Sequence, residues 1–530
     1  MVRGEDHEMM VTDKSADVTV QQYPSSEEGH NGSKKEGSRE FEAYGHIESQ
    51  TRVRRLFNFI QLFAFSLTFM SSWEGMCTNL WFAMYNGGPR TFAWSIFIVY
   101  FGACAQSASL AEMASLQPIA GAQYHWTHHL APPQAKRFIT WIQGWVTWFG
   151  WVSLLAGGCN MTAIITQQLI ILNNPDYVPE RWHITLIMIA ILILQGFVNI
   201  YVFFIIPWLE LVGGIAHVCL YVVFVVVLVT LGPRHSADFI FFEKNVSSGW
   251  NNSFLSFNVG LLTGIWSFTG FDGTLHMSEE TRKAKQAVPR ATFWTIAVNG
   301  LLAYSMTIII LMTMGTIEDA LTANFPMVPI LLGVTGSKKA TTALVTGLWL
   351  ISFCVNLASI ASVSRLTWAW ARDGGLPKYF SIVSSQHLVP ERAIVLCIFL
   401  TCIISLLNIG NTAAFSAITA LCSLALYVSY FIAIACMLHA RYRKQPGLLG
   451  GWNLGGYGAY VNAFALLYTT WSIIFLPFPT TLPVDAENMN YAGPIFGMVI
   501  IFTITYWFVW ARKNWEGINP DIVKYIISQE

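Results

Sequence analysis

A single carboxylate interrupts a long apolar stretch near the start of the chain. Glu74 lies in the segment Ser71-Ser72-Trp73-Glu74-Gly75, within a run from Phe57 to Tyr85 that carries no other charge. Serine and glycine weaken a helix, and in a bilayer the backbone groups that a break frees need protein or water partners. An ionisable group at membrane depth is costly and usually faces a pathway. This segment therefore predicts a substrate site in which Glu74 binds a substrate amine or takes up a proton. The alternative is a protonated, hydrogen-bonded packing residue.

A second apolar run is interrupted in a similar way. It contains Ser267-Phe268-Thr269-Gly270-Phe271-Asp272. The two runs stand five apart in order along the chain, as expected if two five-helix units repeat with inverted topology. Free N–H groups at the start of a half-helix favour an anionic group, and free carbonyls at a half-helix end favour a cation. The pair of breaks therefore predicts a site suited to a zwitterion.

Other side chains near the breaks have two interpretations. Trp73, Trp266, Phe268 and Phe271 could surround an ammonium, since aromatic faces attract cations, although most rings in such a chain pack helices. Asp272 is a candidate for proton coupling, or it pairs within a polar mouth at the helix end.

Histidines supply the remaining candidates for proton or metal chemistry. His217 could relay protons with Glu210, about two turns away, and the alternative is a buried neutral histidine that donates to a neighbouring helix. Three further histidines lie close together in the sequence: His125, His128 and His129. No cysteine or carboxylate completes a zinc site with them, so neither a metal nor another cofactor is predicted.

Composition favours a membrane protein. The chain has 530 residues, of which 54% are apolar and 11% charged, with a formal net charge of zero. So few charges cannot cover a soluble surface, and the absence of a basic excess argues against nucleic-acid binding. Long apolar runs are frequent, and a bilayer-spanning helix needs roughly 20 residues. Twelve runs are predicted to span: Phe57–Tyr85, Phe92–Leu116, Phe138–Leu172, Ile184–Ile206, Leu211–Leu231, Phe254–Met277, Ala291–Gly315, Thr341–Ala371, Ala393–Leu407, Ala413–Leu438, Tyr457–Leu476 and Tyr491–Ala511.

The termini and loops complete the predicted topology. Residues 1–55 are polar and predict a disordered tail, 56–512 the twelve-helix domain, and 513–530 a C-terminal tail. Lysine and arginine cluster at the helix ends that share a side with both termini, which are therefore expected in the cytoplasm. Two sequons, at Asn245 and Asn251, then lie outside as candidate glycosylation sites.

Several motifs resemble one transporter family. They are Glu112-Met113-Ala114-Ser115-Leu116-Gln117-Pro118, Gly121-Ala122-Gln123-Tyr124-His125-Trp126, Asn86-Gly87-Gly88-Pro89, Ser267 to Asp272 with Ser278-Glu279-Glu280-Thr281, and Ser364-Arg365 with Ala371-Arg372-Asp373-Gly374-Gly375-Leu376-Pro377. They are similar to those of amino acid–polyamine–organocation transporters, and within them of fungal amino acid/choline permeases. The resemblance implies an all-α leucine-transporter fold, in which two five-helix repeats have inverted topology and two further helices follow. It also implies alternating access, proton symport, and substrate contacts at both breaks. It also implies Lys14, Lys34 and Lys35 as ubiquitin acceptors on a plasma-membrane permease.

One departure from the family pattern affects the expected substrate. Gly75 stands alone in the first break, where amino acid carriers of this superfamily commonly have two close glycines. An ionised Glu74 beside that site would repel a substrate carboxylate. The first hypothesis is therefore a transporter of an amino acid or a GABA-like substrate. The second is a transporter of choline, a polyamine or another organic cation. The third is a nutrient sensor that binds its ligand without transporting it.

Overall fold

The fold is built from helices throughout the described part of the chain. The computed structural model describes residues 51, 53–322, 325–410, 412–486 and 488–528. Lys14, Lys34, Lys35 and nearly all of the predicted N-terminal tail lie outside these residues. Helices account for 78% of the structure, and the described residues form no strand beyond one isolated bridge between Phe57 and Thr281. The predicted all-α class is confirmed.

The α-helices are numbered here in chain order. They are α1 Phe59–Met70, α2 Ser72–Leu116, α3 Gln123–Leu130, α4 Lys136–Asn173, α5 Arg181–Tyr201, α6 Ile206–Leu231, α7 Ala237–Phe242, α8 Ser253–Gly260, α9 Leu262–Ser267, α10 Gly273–His276, α11 Ala284–Thr313, α12 Ile317–Thr322, α13 Met327–Thr335, α14 Lys338–Arg372, α15 Glu391–Gly410, α16 Thr412–Tyr442, α17 Gly458–Phe475, α18 Ala492–Tyr506, α19 Arg512–Asn514 and α20 Pro520–Ser528. Short 3₁₀ turns cover Phe203–Ile205, Ser278–Glu280, Lys378–Ser381 and Gly455–Tyr457, and a π-helical turn covers Trp507–Ala511.

Ten helical stretches of the described residues are long and apolar enough to cross a bilayer. The first of them, Phe59–Leu116, has 58 residues, more than twice the roughly 20 residues that one crossing needs. It divides at Gly87 and Gly88, whose backbone angles are not helical, so it supplies two crossings. A further apolar segment, from α8 to α10, is interrupted and is not among the ten. Together these make the twelve segments that the sequence predicts.

Two predicted boundaries were wrong by a few residues. The sequence predicts the division between the fourth and fifth runs at Pro207 to Glu210. In the structure the turn lies at Phe203–Ile205, and α6 already begins at Ile206. Pro207 therefore occupies the first turn of a helix, where its missing N–H costs nothing. The short ninth run extends to a full crossing of 20 residues in α15.

Both predicted interruptions are real. Ser71 separates α1 from α2 with φ 28° and ψ 49°, so the break is one residue long and Trp73 to Gly75 already belong to the first turn of α2. The second break is wider, since residues 268–272 separate α9 from α10. Around these segments, α1 packs against α6, α2 against α11, α4 against α14 and α16, and α5 against α15.

The C-terminal segment packs against the bundle where it is described. Trp515 is buried among Trp141, Trp370 and Trp507, and its indole N–H donates to the backbone carbonyl of Asp373 at 2.7 Å. Further along, Ile522 and Ile526 of α20 are buried, one turn apart. This segment therefore stabilises the end of α14.

Candidate functional site

A small cavity lies where the two broken helices meet. Its walls come from α1, α2, α4, α9 and α14, and its volume is about 100 Å³. This is below the several hundred Å³ of pockets for drug-sized ligands, so the space suits a small solute. Polar side chains in its lining are Ser71, Glu74, Thr78, Ser267, Thr269, Ser352 and Ser359.

Glu74 is the single ionisable residue in the lining of this cavity. Its side chain is buried, and its Oε1 lies 2.8 Å from Nδ1 of His217 on α6. The sequence offers two interpretations of His217, a proton relay with Glu210 and a buried histidine bonded to a neighbouring helix, and in the structure His217 is buried and bonded to Glu74. Neither Oε2 of Glu74 nor Nε2 of His217 has a hydrogen-bond partner among the described residues. The Glu74 carboxylate in the wall is therefore hydrogen-bonded to an imidazole outside the lining, and each partner has one further polar atom that bonds to no described residue.

Gly75 lets the two broken helices touch beside Glu74. A Cβ built on Gly75 would lie 2.6 Å from Oγ and 2.9 Å from Cβ of Ser267. Real Cβ atoms do not come so close, so a larger residue would push the helices apart. A single glycine therefore fixes the contact between α2 and α9.

Asn299 of α11 bridges the first break, and sequence reasoning missed it. Its Nδ2 donates to the carbonyl of Leu67 at 3.3 Å, and its Oδ1 accepts from the N–H of Ser72 at 3.4 Å. The Ser72 N–H follows the break and has no regular helix bond, whereas the Leu67 carbonyl also accepts from the N–H of Ser71 at 3.0 Å. The only signal in the sequence is an amide within an otherwise apolar run.

Tyr430 of α16 and Asp272 hold the second break. The hydroxyl of Tyr430 donates to Oδ1 of Asp272 at 2.6 Å and accepts from the N–H of Gly270 at 3.2 Å. Trp151 and Gln123 donate to Oδ2 of Asp272 at 2.9 and 2.5 Å. Three donors thus converge on one carboxylate that is buried away from the cavity lining.

The segment around α3 connects the second break to the end of α14. While Gln123 contacts Asp272, its neighbours Tyr124 and His125 both reach Oδ2 of Asp373, at 2.7 and 2.8 Å. Burial alone would raise the pKa of Asp373, but His125, Arg372 and the Tyr124 hydroxyl hold that pKa below its ordinary value. The motif from Gly121 to Trp126 is therefore a structural strut.

Two buried ion pairs lie on the same side of the cavity as this strut. Arg372 makes two hydrogen bonds of 2.9 Å to Glu279, and Nε of Arg365 donates to Glu280 at 2.8 Å. Arg365 also lies over the ring of Phe203, 4.1 Å from its centroid. Together with the strut, they form a layer of paired charges on the side of the bundle where α14 ends, called here the Arg372 face.

Five of the ten residues predicted to bind substrate line the cavity, and five do not. Ser71, Glu74, Gly75, Ser267 and Thr269 are in the lining, as is Trp266. Trp73 instead packs against Phe224 and Tyr221. The remaining predicted positions outside the lining are Ser72, Phe268, Gly270 and Phe271. The structure thus brings one of the four proposed aromatic rings to the cavity.

The two sequons differ in their surroundings. Asn251 is exposed just before α8, and Asn245 is half-buried, with its backbone N–H 3.4 Å from the carbonyl of Gly87. Both lie in the loop that precedes α8, on the face of the bundle where α14 begins, called here the Lys338 face.

A bundle of apolar helices around a small cavity that contains several polar side chains, placed where two interrupted helices meet, defines a multi-pass membrane transporter. The amino acid permease family model matches residues 57–502, and the chain belongs to that family. Similar proteins include an amino-acid permease of Schizosaccharomyces pombe, 29% identical over 88% of both chains. The choline transporter of Saccharomyces cerevisiae is 28% identical over 89% of this chain and 84% of its own. Amino-acid permease 2 of Neurospora crassa is 29% identical over 95% of both.

Proposed function

We propose that the protein carries an amino acid or a GABA-like solute across the membrane by alternating access, in symport with a proton. The observation that carries the proposal is the hydrogen bond between Glu74, which lines the cavity, and His217, which lies outside the lining. In the proposed complex, the substrate ammonium binds Glu74. The substrate carboxylate accepts hydrogen bonds from Ser71, Ser267 or Thr269 and from free N–H groups at the start of α2.

The charge of the pair explains why a proton would accompany a zwitterion. With one shared proton, Glu74 and His217 have a net charge of zero, whether the proton resides on oxygen or on nitrogen. Without it, the pair has a charge of −1. A zwitterion is neutral overall, and its carboxylate would be repelled by the unpaired negative charge. The proton-loaded pair is therefore the better partner for it.

Uptake by intact cells tests this directly. The protein is expressed in a yeast strain that lacks its own permeases, and radiolabelled amino acids and GABA are supplied at several external pH values. Uptake should rise as the external pH falls and should stop when an uncoupler collapses the proton gradient. Uptake that is unchanged by the uncoupler would contradict symport, and no uptake of any amino acid would contradict the substrate class.

Choline or another organic cation is a second candidate substrate. It is favoured by the cavity lining, in which Glu74 is the single ionisable group, and by the relative whose name is choline transporter. A cation would prefer the pair after it has lost its proton, so protons and choline would compete. Choline uptake should then fall as the external pH falls, which is opposite to the expectation for a zwitterion.

The variant Glu74→Gln separates a role in binding from mere packing. Glutamine keeps the size of the side chain and removes the charge. Under either substrate hypothesis, uptake should fall at least about tenfold, the factor that corresponds to 1.4 kcal/mol. Normal uptake by a variant that reaches the membrane in normal amounts would leave Glu74 as a packing residue.

The proposed orientation places the Arg372 face in the cytoplasm of a plasma-membrane permease. It is supported by lysine and arginine near the helix ends on that face. In this orientation Asn251 is outside the cell, and its exposed side chain is the better of the two acceptors. A mobility shift on glycosidase treatment that disappears in Asn251→Gln would support the orientation, whereas accessibility of the Lys338 face to a reagent confined to the cytoplasm would contradict it.

A further inference from the structure

Glu210 is a buried carboxylate that the proposed site does not use. It lies in the second turn of α6 and has no solvent exposure. Neither of its side-chain oxygens has a hydrogen-bond partner among the described residues. Burying a carboxylate without partners is costly, and in membrane proteins such groups commonly belong to an ion or proton pathway.

Glu210 and His217 share one face of α6. They are seven residues apart, which is close to two full turns and about 10 Å along the helix axis. The buried residues of α6 form one stripe: Ile206, Pro207, Glu210, Gly213, Gly214, His217, Phe224 and Leu228. Only glycines separate the two ionisable groups on this stripe, so no side chain of α6 stands between them.

Helix α1 fills the space above these glycines. A Cβ on Gly214 would lie 3.0 Å from Cβ of Ala64, and a Cβ on Gly213 would lie 3.2 Å from Cγ2 of Thr68. The Thr68 hydroxyl is bonded to backbone, to the carbonyl of Ala64 at 2.9 Å and to that of Glu210 at 3.3 Å. The close fit of α1 therefore separates Glu210 from His217. This separation lasts only while α1 stays in place.

The groups around the stripe leave Glu210 without a fixed countercharge. From α14, Cys354 faces the Gly213–Gly214 pair, called here the glycine notch, with its sulfur 3.5 Å from a Cβ on Gly213. From α2, Glu74 is bonded to His217, and Tyr221 of α6 is bonded to Ser305 of α11 at 2.6 Å. Arg365 of α14 lies over Phe203 just before α6, but its guanidinium is paired with Glu280.

We infer that Glu210 is the second proton site of the transporter and receives the proton from the Glu74–His217 pair on its way to the Arg372 face. This inference rests on the proposed proton symport. Nδ1 of His217 takes the proton of Glu74 while Nε2 gives its own proton to the Glu210 carboxylate. The imidazole is neutral before and after, Glu74 becomes ionised, and Glu210 becomes neutral, so total charge is conserved. Movement of α1 away from the glycine notch opens the gap to water, which carries the proton across it.

The nearly isosteric variant Glu210→Gln tests this step in proteoliposomes of the full-length protein. The probe is whichever of the radiolabelled amino acids and GABA the wild type accumulates. Two measurements are compared: exchange of labelled for unlabelled probe at equal pH on both sides, and accumulation driven by a pH gradient, with an internal pH dye reporting proton entry. Glu210→Gln should keep exchange within about twofold of wild type and lose both accumulation and proton entry. Glu210→Asp should restore part of both.

Thr68→Val is the matched control, because it disturbs the same notch without touching the carboxyl group. It should retain accumulation. Normal accumulation by Glu210→Gln would overturn the inference. So would equal loss of exchange and accumulation, since Glu210 would then serve the structure. A wild-type protein that moves none of these probes would contradict the proposed proton-coupled transport itself, and the inference with it.

Discussion

Glu74 shows what a residue type can reveal and what it cannot. A carboxylate at membrane depth is costly unless it has a partner or faces a pathway, and the sequence identifies Glu74 for that reason. Its partner His217 is 143 positions away in the chain, and helix packing alone brings the two together. Asn299 and Tyr430 were missed for the same cause, because each acts on a backbone break that belongs to another helix.

Gly75 gives a prediction at the same scale. Gly75→Ala places a methyl group against Ser267, so the two broken helices should separate and transport should fall by at least about tenfold, equivalent to 1.4 kcal/mol. Uptake per molecule at the cell surface is the measurement.

A second change supplies the control for this prediction. Ser267→Gly removes both side-chain atoms that the new methyl group would meet. The double variant Gly75→Ala/Ser267→Gly should therefore recover part of the lost transport. No recovery would mean that Gly75 serves another purpose than close approach.

At the scale of the element, the two interruptions are stabilised differently. The first is one residue long and is bridged by one amide, whereas the second spans residues 268–272 and is held by a carboxylate with three donors. Glycine, serine and an isolated carboxylate were sufficient to predict where each helix breaks. They were not sufficient to predict which side chains face the cavity.

The direction of a side chain after a break depends on how far the chain turns there. Because helix α2 resumes at Ser72, one residue after the break, Trp73 points towards Phe224 of α6 while Glu74 and Gly75 face the cavity. A longer break would have rotated the following helix differently. Sequence patterns give the period of a helix, but not its rotation about its own axis.

Tyr430→Phe tests how the second break is held. The change removes the donor to Asp272 and the acceptor for Gly270, and should lower the free energy of unfolding by about 1–3 kcal/mol because buried groups lose partners. Thermal unfolding in detergent is the measurement. Tyr427→Phe is the control, since the Tyr427 hydroxyl contacts the hydroxyl of Tyr468, so its loss should have a smaller effect. Equal shifts for both variants would contradict this account.

At the scale of the whole molecule, the number and order of apolar segments follow from composition. Apolar runs of about 20 residues with few charges are long enough for helices, which satisfy their own backbone hydrogen bonds in lipid. The packed C-terminal segment was not predicted, because Trp515 and Ile522 stand in a short polar context that reads as a tail. Its burial depends on Trp141 and Trp370, which come from α4 and α14.

Trp515→Ala tests whether this segment stabilises the bundle. Loss of a fully packed tryptophan should cost about 3–5 kcal/mol and lower the unfolding temperature measured in detergent. Trp510→Ala serves as the comparison, because Trp510 is exposed on the last crossing and should change that temperature much less. A Trp515→Ala protein as stable as Trp510→Ala would show that the C-terminal segment is dispensable for the fold.

The central claim is that solute passes through the cavity between the two broken helices, and Gly158 offers the most direct test. It lines the cavity, and a Cβ there would meet only Oδ1 of Asn356, at 3.7 Å, so a larger side chain fits and fills the space. Gly333 of α13 is the matched control, since a Cβ there meets nothing within 4 Å and the residue lies outside the lining. Saturable uptake of radiolabelled substrate by proteoliposomes should be abolished in Gly158→Phe and preserved in Gly333→Phe. Saturable uptake at the wild-type rate by Gly158→Phe would contradict the account.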